Sequence, residues 1–152
     1  MLKEKITVGE AVDLIHNSIL DFQDGLNSET ISKLIYSINN ELQIRDYLLG
    51  LPNTFPLETC KEFLSYLGAS VDESESYSIL TILSAYHYEQ EEIELCALAL
   101  ATALEIKNDY NLAQLLDRVY EANWPKETFV QMRNELHSKV IANLEEMSEE
   151  LI

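Results

Sequence analysis

Apolar residues recur at helical spacing along the chain, in segments separated by short polar turns. The first segment follows Thr7 and Glu10, which have the spacing of a capping box, and it predicts an N-terminal helix within residues 1–26. The segments do not show the period of two that a half-buried strand requires. Because only four glycines and three prolines interrupt 152 residues, the pattern predicts an all-α fold.

Polar residues and prolines mark where the following helices are expected to begin. Ser28 is placed to cap a second helix, and a short continuation over residues 45–49 follows it after a bend. Pro56 suits the first turn of the next helix. Asp72 and Glu75 have the spacing of a further capping box, which predicts that another helix begins there.

Two predicted helices, over residues 73–89 and 93–106, form the most informative stretch of the sequence. Large and small residues stand in them at the spacings of a tetratricopeptide repeat, in the slots Leu80, Ser84, His87, Cys96, Leu100 and Ala103. The stretch therefore resembles one degenerate unit of that repeat, with His87 in place of the usual aromatic residue and Asn108 in place of the closing proline. The resemblance implies a helical hairpin, and a scaffold rather than a catalyst.

The helix over residues 93–106 is apolar on nearly every side. From Leu95 to Leu104, every residue except Thr102 is a leucine, an alanine or a cysteine. A helix without a polar face must be covered on several sides. We therefore predict that this helix is the central and most buried one of the domain.

The remaining sequence predicts two more helices and a single domain. Asn108 and Asp109 are expected to cap the first of them, residues 123–125 to form a corner, and residues 126–152 to form a C-terminal amphipathic helix. No low-complexity linker and no second copy of the hairpin divides the sequence. The prediction is one compact all-α domain over residues 1–152, with about seven helices and a tetratricopeptide-like central hairpin.

The charge of the chain narrows the classes of partner. Twenty-seven acidic residues against ten basic ones give a formal net charge of −17. Such a chain repels phosphate backbones and anionic lipid headgroups, so we expect neither nucleic acid nor a membrane as partner. The N-terminal segment has no apolar run typical of a signal peptide, which favours a cytoplasmic protein.

The sequence contains residues that can bind metals or act as nucleophiles, but it does not contain a complete set of them for either purpose. Asp13 and His16 have the spacing found in carboxylate-bridged metal bundles, but the sequence contains no second such pair. Cys60 and Cys96 lie on apolar helical faces, where thiols are small hydrophobic side chains rather than nucleophiles. His87 is expected to be a satisfied or solvated histidine. We therefore expect no catalytic residue, no metal site and no cofactor.

Four ring side chains on the helix over residues 73–89 are the strongest candidates for a contact surface. They are Tyr77, Tyr86, His87 and Tyr88, and they point in different directions around a helix. One interpretation is packing within the hairpin. The other is an exposed aromatic edge that contacts a partner, because tyrosine is favoured at binding hot spots.

Arg45, followed by Asp46, is a further candidate for a partner contact. One interpretation is that Arg45 reaches a carboxylate on a neighbouring helix of this acidic chain. The other is a contact with an anion or a protein partner. The first is favoured because a single arginine among many carboxylates readily finds an ion-pair partner.

With these motifs identified, the chain resembles the C-terminal helical part of an actinobacterial family known as domain of unknown function 4192. Four segments and one proline carry the resemblance, namely residues 44–49, 80–88, 97–104 and 110–117 and Pro125. It covers residues 28–125. Members of the family are longer and have a preceding α/β portion, and they supply no catalytic residue to transfer. The resemblance implies an all-helical domain of a bacterial cytoplasm and no particular activity.

These observations favour a non-enzymatic protein-interaction or scaffolding module, which binds a protein partner or associates with itself. The alternative is a small helical-bundle enzyme, or a ligand-binding or metal-binding protein, that uses acidic and histidine side chains. A convergent polar cluster in a deep pocket would favour the alternative. A shallow apolar or aromatic groove, or a two-fold interface, would favour the interaction module.

Overall fold

The computed structural model describes the chain over residues 5–150 and its side chains over residues 5–146. Within that part the chain forms eight α-helices, one more than the approximate number predicted, and no strand. The helices are α1 (Val8–Asp21), α2 (Ser28–Asn40), α3 (Leu42–Leu49), α4 (Leu57–Ala69), α5 (Tyr77–Glu89), α6 (Ile93–Ile106), α7 (Asn111–Glu121) and α8 (Lys126–Glu150). The all-α prediction is confirmed. Residues 1–4 and 151–152, at the ends of the predicted terminal helices, lie outside the described part.

The start of α1 is the predicted capping box. Thr7 accepts a hydrogen bond from the backbone N–H of Glu10 at 3.1 Å, and the Glu10 carboxylate accepts one from the backbone N–H of Thr7 at 2.8 Å. These bonds satisfy two donors that the first turn of a helix leaves without a partner. They also lower the pKa of Glu10.

Other predicted helix starts are displaced by a few residues. Asn27, and not Ser28, caps α2, because its side-chain oxygen accepts from the backbone N–H of Thr30 at 2.8 Å. Asp72 and Glu75 form no capping box, since residues 73–75 make a short 3₁₀ turn and α5 begins only at Tyr77. The backbone of Tyr110, rather than a side chain of residues 108–109, starts α7.

Helix α5 lies at the centre of the domain. It packs against α2, α3, α4, α6, α7 and α8, and ten of its thirteen residues are buried. Its buried residues include the aliphatic side chains Ile79 and Ile82 and the polar side chains Ser78, Thr81 and Ser84. Helices α2 to α4 cover one part of α5, α1 packs on α2, α3 and α4, and α8 packs against both α3 and α5.

Helix α6 is not the central helix, contrary to the sequence-based prediction. Its bounds agree with the prediction, but only Cys96, Leu100 and Ala103 are buried. Leu95 and Leu98 are 48% and 65% exposed. Helix α6 packs mainly along α5, with a smaller contact to α7, so one side of it is covered and the opposite side faces solvent.

Helix α8 approaches the turn after α3 very closely. A Cβ atom at Gly50 would overlap the side chain of His137, so the close approach requires glycine there. The backbone of Gly50, with φ −98° and ψ 7°, is one that other residues adopt, so the reason for glycine is steric. The contact is part of the packing of α8 against α3.

Candidate functional site

Two of the four ring side chains proposed as an exposed edge are core residues. Tyr86 is 0% exposed and donates a hydrogen bond to the backbone carbonyl of Leu48 in α3. Tyr88 is 8% exposed, donates to the carbonyl of Trp124 at 2.6 Å and stacks on Tyr120 at a centroid distance of 4.6 Å. Burial raises the pKa of both phenols. Neither can be the edge that the sequence-based hypothesis placed there, because α5 is enclosed by several helices.

Tyr77 and His87 are the two members of that set that stay partly accessible. Tyr77 makes an edge contact with Tyr110, and the ammonium group of Lys107 lies 5.6 Å from the centre of its ring. His87 donates from Nδ1 to the carboxylate of Glu92 at 2.9 Å. That bond, followed by one from Lys61, lowers the pKa of Glu92. Both rings therefore have partners within the fold.

Arg45 pairs with the residue next to it. Its guanidinium contacts the carboxylate of Asp46 at 3.1 Å, and both side chains are less than one-fifth exposed. The favoured interpretation was correct about a carboxylate partner and wrong about its place, because the partner lies on the same helix. Arg45 also lies near the hydroxyl of Tyr110, whose ring makes the edge contact with Tyr77. Because Tyr86 and Tyr88 are buried, Arg45 and the four ring side chains still do not form one exposed surface.

A buried ion pair that the sequence analysis did not identify joins α5 to α8. Arg133 donates from Nε and Nη2 to the two carboxylate oxygens of Glu89, at 2.6 and 2.8 Å, and each side chain is 6% exposed. Arg133 also donates from Nη1 to the side-chain oxygens of Asn53 and Asn134. The guanidinium and the carboxylate are thereby satisfied by one another and by amides, which is the condition for burying charge.

Two histidines and a tyrosine form a second polar cluster between α1, α3 and α8. The Nε2 atom of His16 lies 2.5 Å from the hydroxyl of Tyr47, and His137 donates from Nδ1 to the backbone carbonyl of Tyr47 at 2.8 Å. The rings of Tyr47 and His137 stack at 4.7 Å. Burial, with a smaller effect from Asp13, raises the pKa of Tyr47 to about 12. Burial lowers the pKa of His137.

The two cysteines are buried, as predicted. Burial raises the pKa of the Cys60 thiol to about 12 and that of the Cys96 thiol to about 11. A thiol held far above its ordinary pKa is a weak nucleophile near neutral pH. Over residues 5–146, no three histidine, cysteine, aspartate or glutamate side chains come together as a metal site. The spacing of Asp13 and His16 thus has no third ligand there.

The outer side of α6 carries several neighbouring apolar side chains that are exposed. We define the α6 face as the exposed side chains Leu95, Ala97, Leu98 and Ala101, with Ile93 at its N-terminal end. Shallow hollows adjoin Ile93, one lined by residues 91–95 and the other reaching the corner at Trp124 and Pro125. Contiguous exposed apolar side chains of this kind are typical of binding surfaces. The signal was present in the sequence, as an apolar helix that one hairpin partner alone could not cover.

Comparison with protein-family models, curated proteins and solved structures finds no match to this chain. In the part of the chain that the structure describes, no helix combines the length and the apolar character needed to cross a bilayer.

Proposed function

We propose that this chain is a non-enzymatic protein-interaction module and that the α6 face is its binding surface. The observation that carries the proposal is the exposure of Leu95 and Leu98 beside Ala97 and Ala101 on a helix that is otherwise anchored. Large exposed side chains cost free energy unless a partner covers them. The partner is another protein or a second copy of the chain, in the cytoplasm and not on nucleic acid.

The polar groups of the domain support interaction over catalysis. Glu89 with Arg133, and Tyr47 with His137, are bonded to each other or to neighbouring backbone groups. A catalytic site instead directs unbonded groups into a cavity that admits a substrate. Neither of these two clusters gives the enzyme or ligand-binding alternative an unbonded group of this kind. Membership of the actinobacterial family remains a proposal that rests on the sequence segments alone.

The test compares two leucines of equal exposure. Leu98 on α6 and Leu42 on α3 are both 65% exposed, so Leu98→Gln and Leu42→Gln remove the same kind of side chain at different places. Glutamine leaves the net charge of the chain unchanged and is a good helix former. Both variants should therefore keep the wild-type circular dichroism spectrum and melting temperature.

Each tagged variant is used to isolate partners from the protein's own cytoplasm, and its mass is measured by sedimentation. We expect wild type and Leu42→Gln to recover the same proteins, or the same oligomer. Leu98→Gln should lose at least one of them or dissociate. Identical partners and identical mass for all three proteins would refute the proposal.

A further inference from the structure

The α6 face carries a carboxylate at each end. Glu94, Leu98, Ala101 and Glu105 are all exposed and follow one another at spacings of four, three and four. Residues at these spacings lie in one line along a helix. Eleven residues at about 1.5 Å each place the two carboxylates roughly 16 Å apart, with the apolar side chains between them.

Among the residues that the structure describes, no lysine or arginine forms an ion pair with either carboxylate. The sequence contains no lysine or arginine from residue 62 to residue 106, although nine acidic residues lie in that stretch. The cations that flank it are engaged elsewhere, because Lys61 contacts Glu92 and Lys107 contacts Asp109. The negative potential over the α6 face is therefore local and not only a share of the net charge.

The positions of Glu94 and Glu105 disfavour a second copy of the chain as the partner that covers the α6 face. Because the spacings read the same in both directions, two α6 helices packed in parallel bring Glu94 against Glu94 and Glu105 against Glu105. Two helices packed antiparallel bring Glu94 against Glu105. Like charges in direct contact oppose association.

We propose that the α6 face binds a basic amphipathic helix of another protein, an inference that rests on the proposed function. That helix has two lysine or arginine residues about eleven positions apart, with apolar residues between them. A single helix matches the length of α6, and its apolar side chains cover Leu95 and Leu98. Its two cations reach Glu94 and Glu105. This is the helix-to-surface mode of recognition, in which apolar anchors give affinity and charges give orientation.

The test uses three designed peptides of about 18 residues, built on alanine and glutamine. The first has two lysines eleven positions apart, with leucines four and seven positions after the first lysine. The second has glutamates in place of the two lysines. The third keeps the lysines and has glutamines in place of the two leucines. Affinities for the purified chain are measured by fluorescence anisotropy at low and at physiological salt.

We expect the lysine–leucine peptide to bind roughly tenfold more tightly than either control, with the difference from the glutamate peptide shrinking as salt rises. A charge swap locates the effect. The variant Glu94→Lys with Glu105→Lys should prefer the glutamate peptide. The variant Glu62→Lys with Glu145→Lys changes the net charge equally at other exposed positions, and it should keep the wild-type preference.

Three outcomes would overturn the inference. The first is that the wild-type chain binds none of the peptides. The second is that both double variants change preference alike, so that the effect belongs to the net charge. The third is a dimer that Leu98→Gln dissociates, which makes a second copy the occupant. In each of these cases, isolation from the cytoplasm can still recover partners that depend on Leu98. Failure of this inference is therefore distinguishable from failure of the proposed function.

Discussion

Helices α5 and α6 form the two arms of one hairpin and have nearly the same length, thirteen and fourteen residues, yet they differ sharply in burial. Ten residues of α5 are buried and only three of α6 are. The more apolar helix is the more exposed one, since α6 carries leucines and alanines on its outer side whereas α5 carries serines, a threonine and a glutamate inside. Burial here follows the position of the helix between its neighbours and not its composition.

The polar side chains of α5 can be buried because each has a hydrogen-bond partner, which for Thr81 is the carbonyl of Tyr77 on α5 itself and for the others includes a side chain of another segment. Ser78 donates to the hydroxyl of Tyr110 at 2.8 Å, and Ser84 lies 2.9 Å from the hydroxyl of Tyr120. Glu89 holds Arg133. Bonds of this kind compensate for the loss of hydration and tie α7 and α8 to α5. In the described part of the chain, α6 packs mainly on α5 and α7 and its outer side stays exposed, which makes the α6 face the candidate binding surface.

The largest loss of stability is expected from breaking the buried ion pair between Glu89 on α5 and Arg133 on α8. Replacing Arg133 with methionine keeps much of its volume but leaves the Glu89 carboxylate buried without a cation, which should lower the free energy of unfolding by about 3–5 kcal/mol. Chemical denaturation measures the change. The double variant Arg133→Met with Glu89→Met removes both charges and should recover much of the loss. A double variant as unstable as the single one would show that the charge is not the cause.

A smaller effect is expected from leucine truncations that compare the two helices directly. Leu83→Ala in α5, at 9% exposure, should lower the free energy of unfolding by about 2–4 kcal/mol, whereas Leu98→Ala in α6 should lower it by less than ~0.5 kcal/mol. Leu100→Ala, also in α6 but 4% exposed, should behave like Leu83→Ala. The denaturation midpoints of the three variants show whether the loss of stability depends on which helix carries the leucine or on whether the leucine is buried. Equal losses at Leu98 and Leu100 would contradict the exposed position of the α6 face.

Much of the fold could be predicted from the sequence because helix bounds depend on local signals. The bounds of α6 agree with the pattern, and the capping box at Thr7 is confirmed. The starts of α2 and α5 were misplaced by one and by four residues, since several polar residues compete for the cap and one side chain wins only in three dimensions. The burial of α6 was predicted wrongly because an apolar pattern states which side chains favour burial and not whether a neighbour exists to cover them.

The candidate site was harder to predict, for a related reason. Helical spacing showed that Tyr77, Tyr86, His87 and Tyr88 point in different directions, but not that most directions around α5 are occupied. The pairing of Glu89 with Arg133 joins residues 44 positions apart, and local spacing carries no signal for such a contact. The leucines of the α6 face were noted in the sequence and assigned to the core, although their exposure is what makes them candidates for binding.

The smallest of the three effects is the change of stability with pH that a histidine on α8 causes. His137, on α8, is 7% exposed and donates from Nδ1 to the carbonyl of Tyr47, and burial holds its pKa below the ordinary value of 6.5. It therefore binds a proton less readily in the folded than in the unfolded chain. Its contribution to stability is complete above about pH 6.5 and is lost as the pH falls through the lowered pKa of the folded state.

The free energy of unfolding should therefore decrease as the pH falls through and below about 6.5, and part of the decrease should disappear in His137→Asn, whose amide can still donate to the Tyr47 carbonyl. An NMR titration of the His137 ring measures the pKa directly and should place it below 6.5. A measured pKa at or above that value, or an unchanged pH dependence in the variant, would contradict the cause given. His137 would then not be buried between α8 and α3, and α8, which also packs on α5, would be a looser cover of the domain than these contacts indicate.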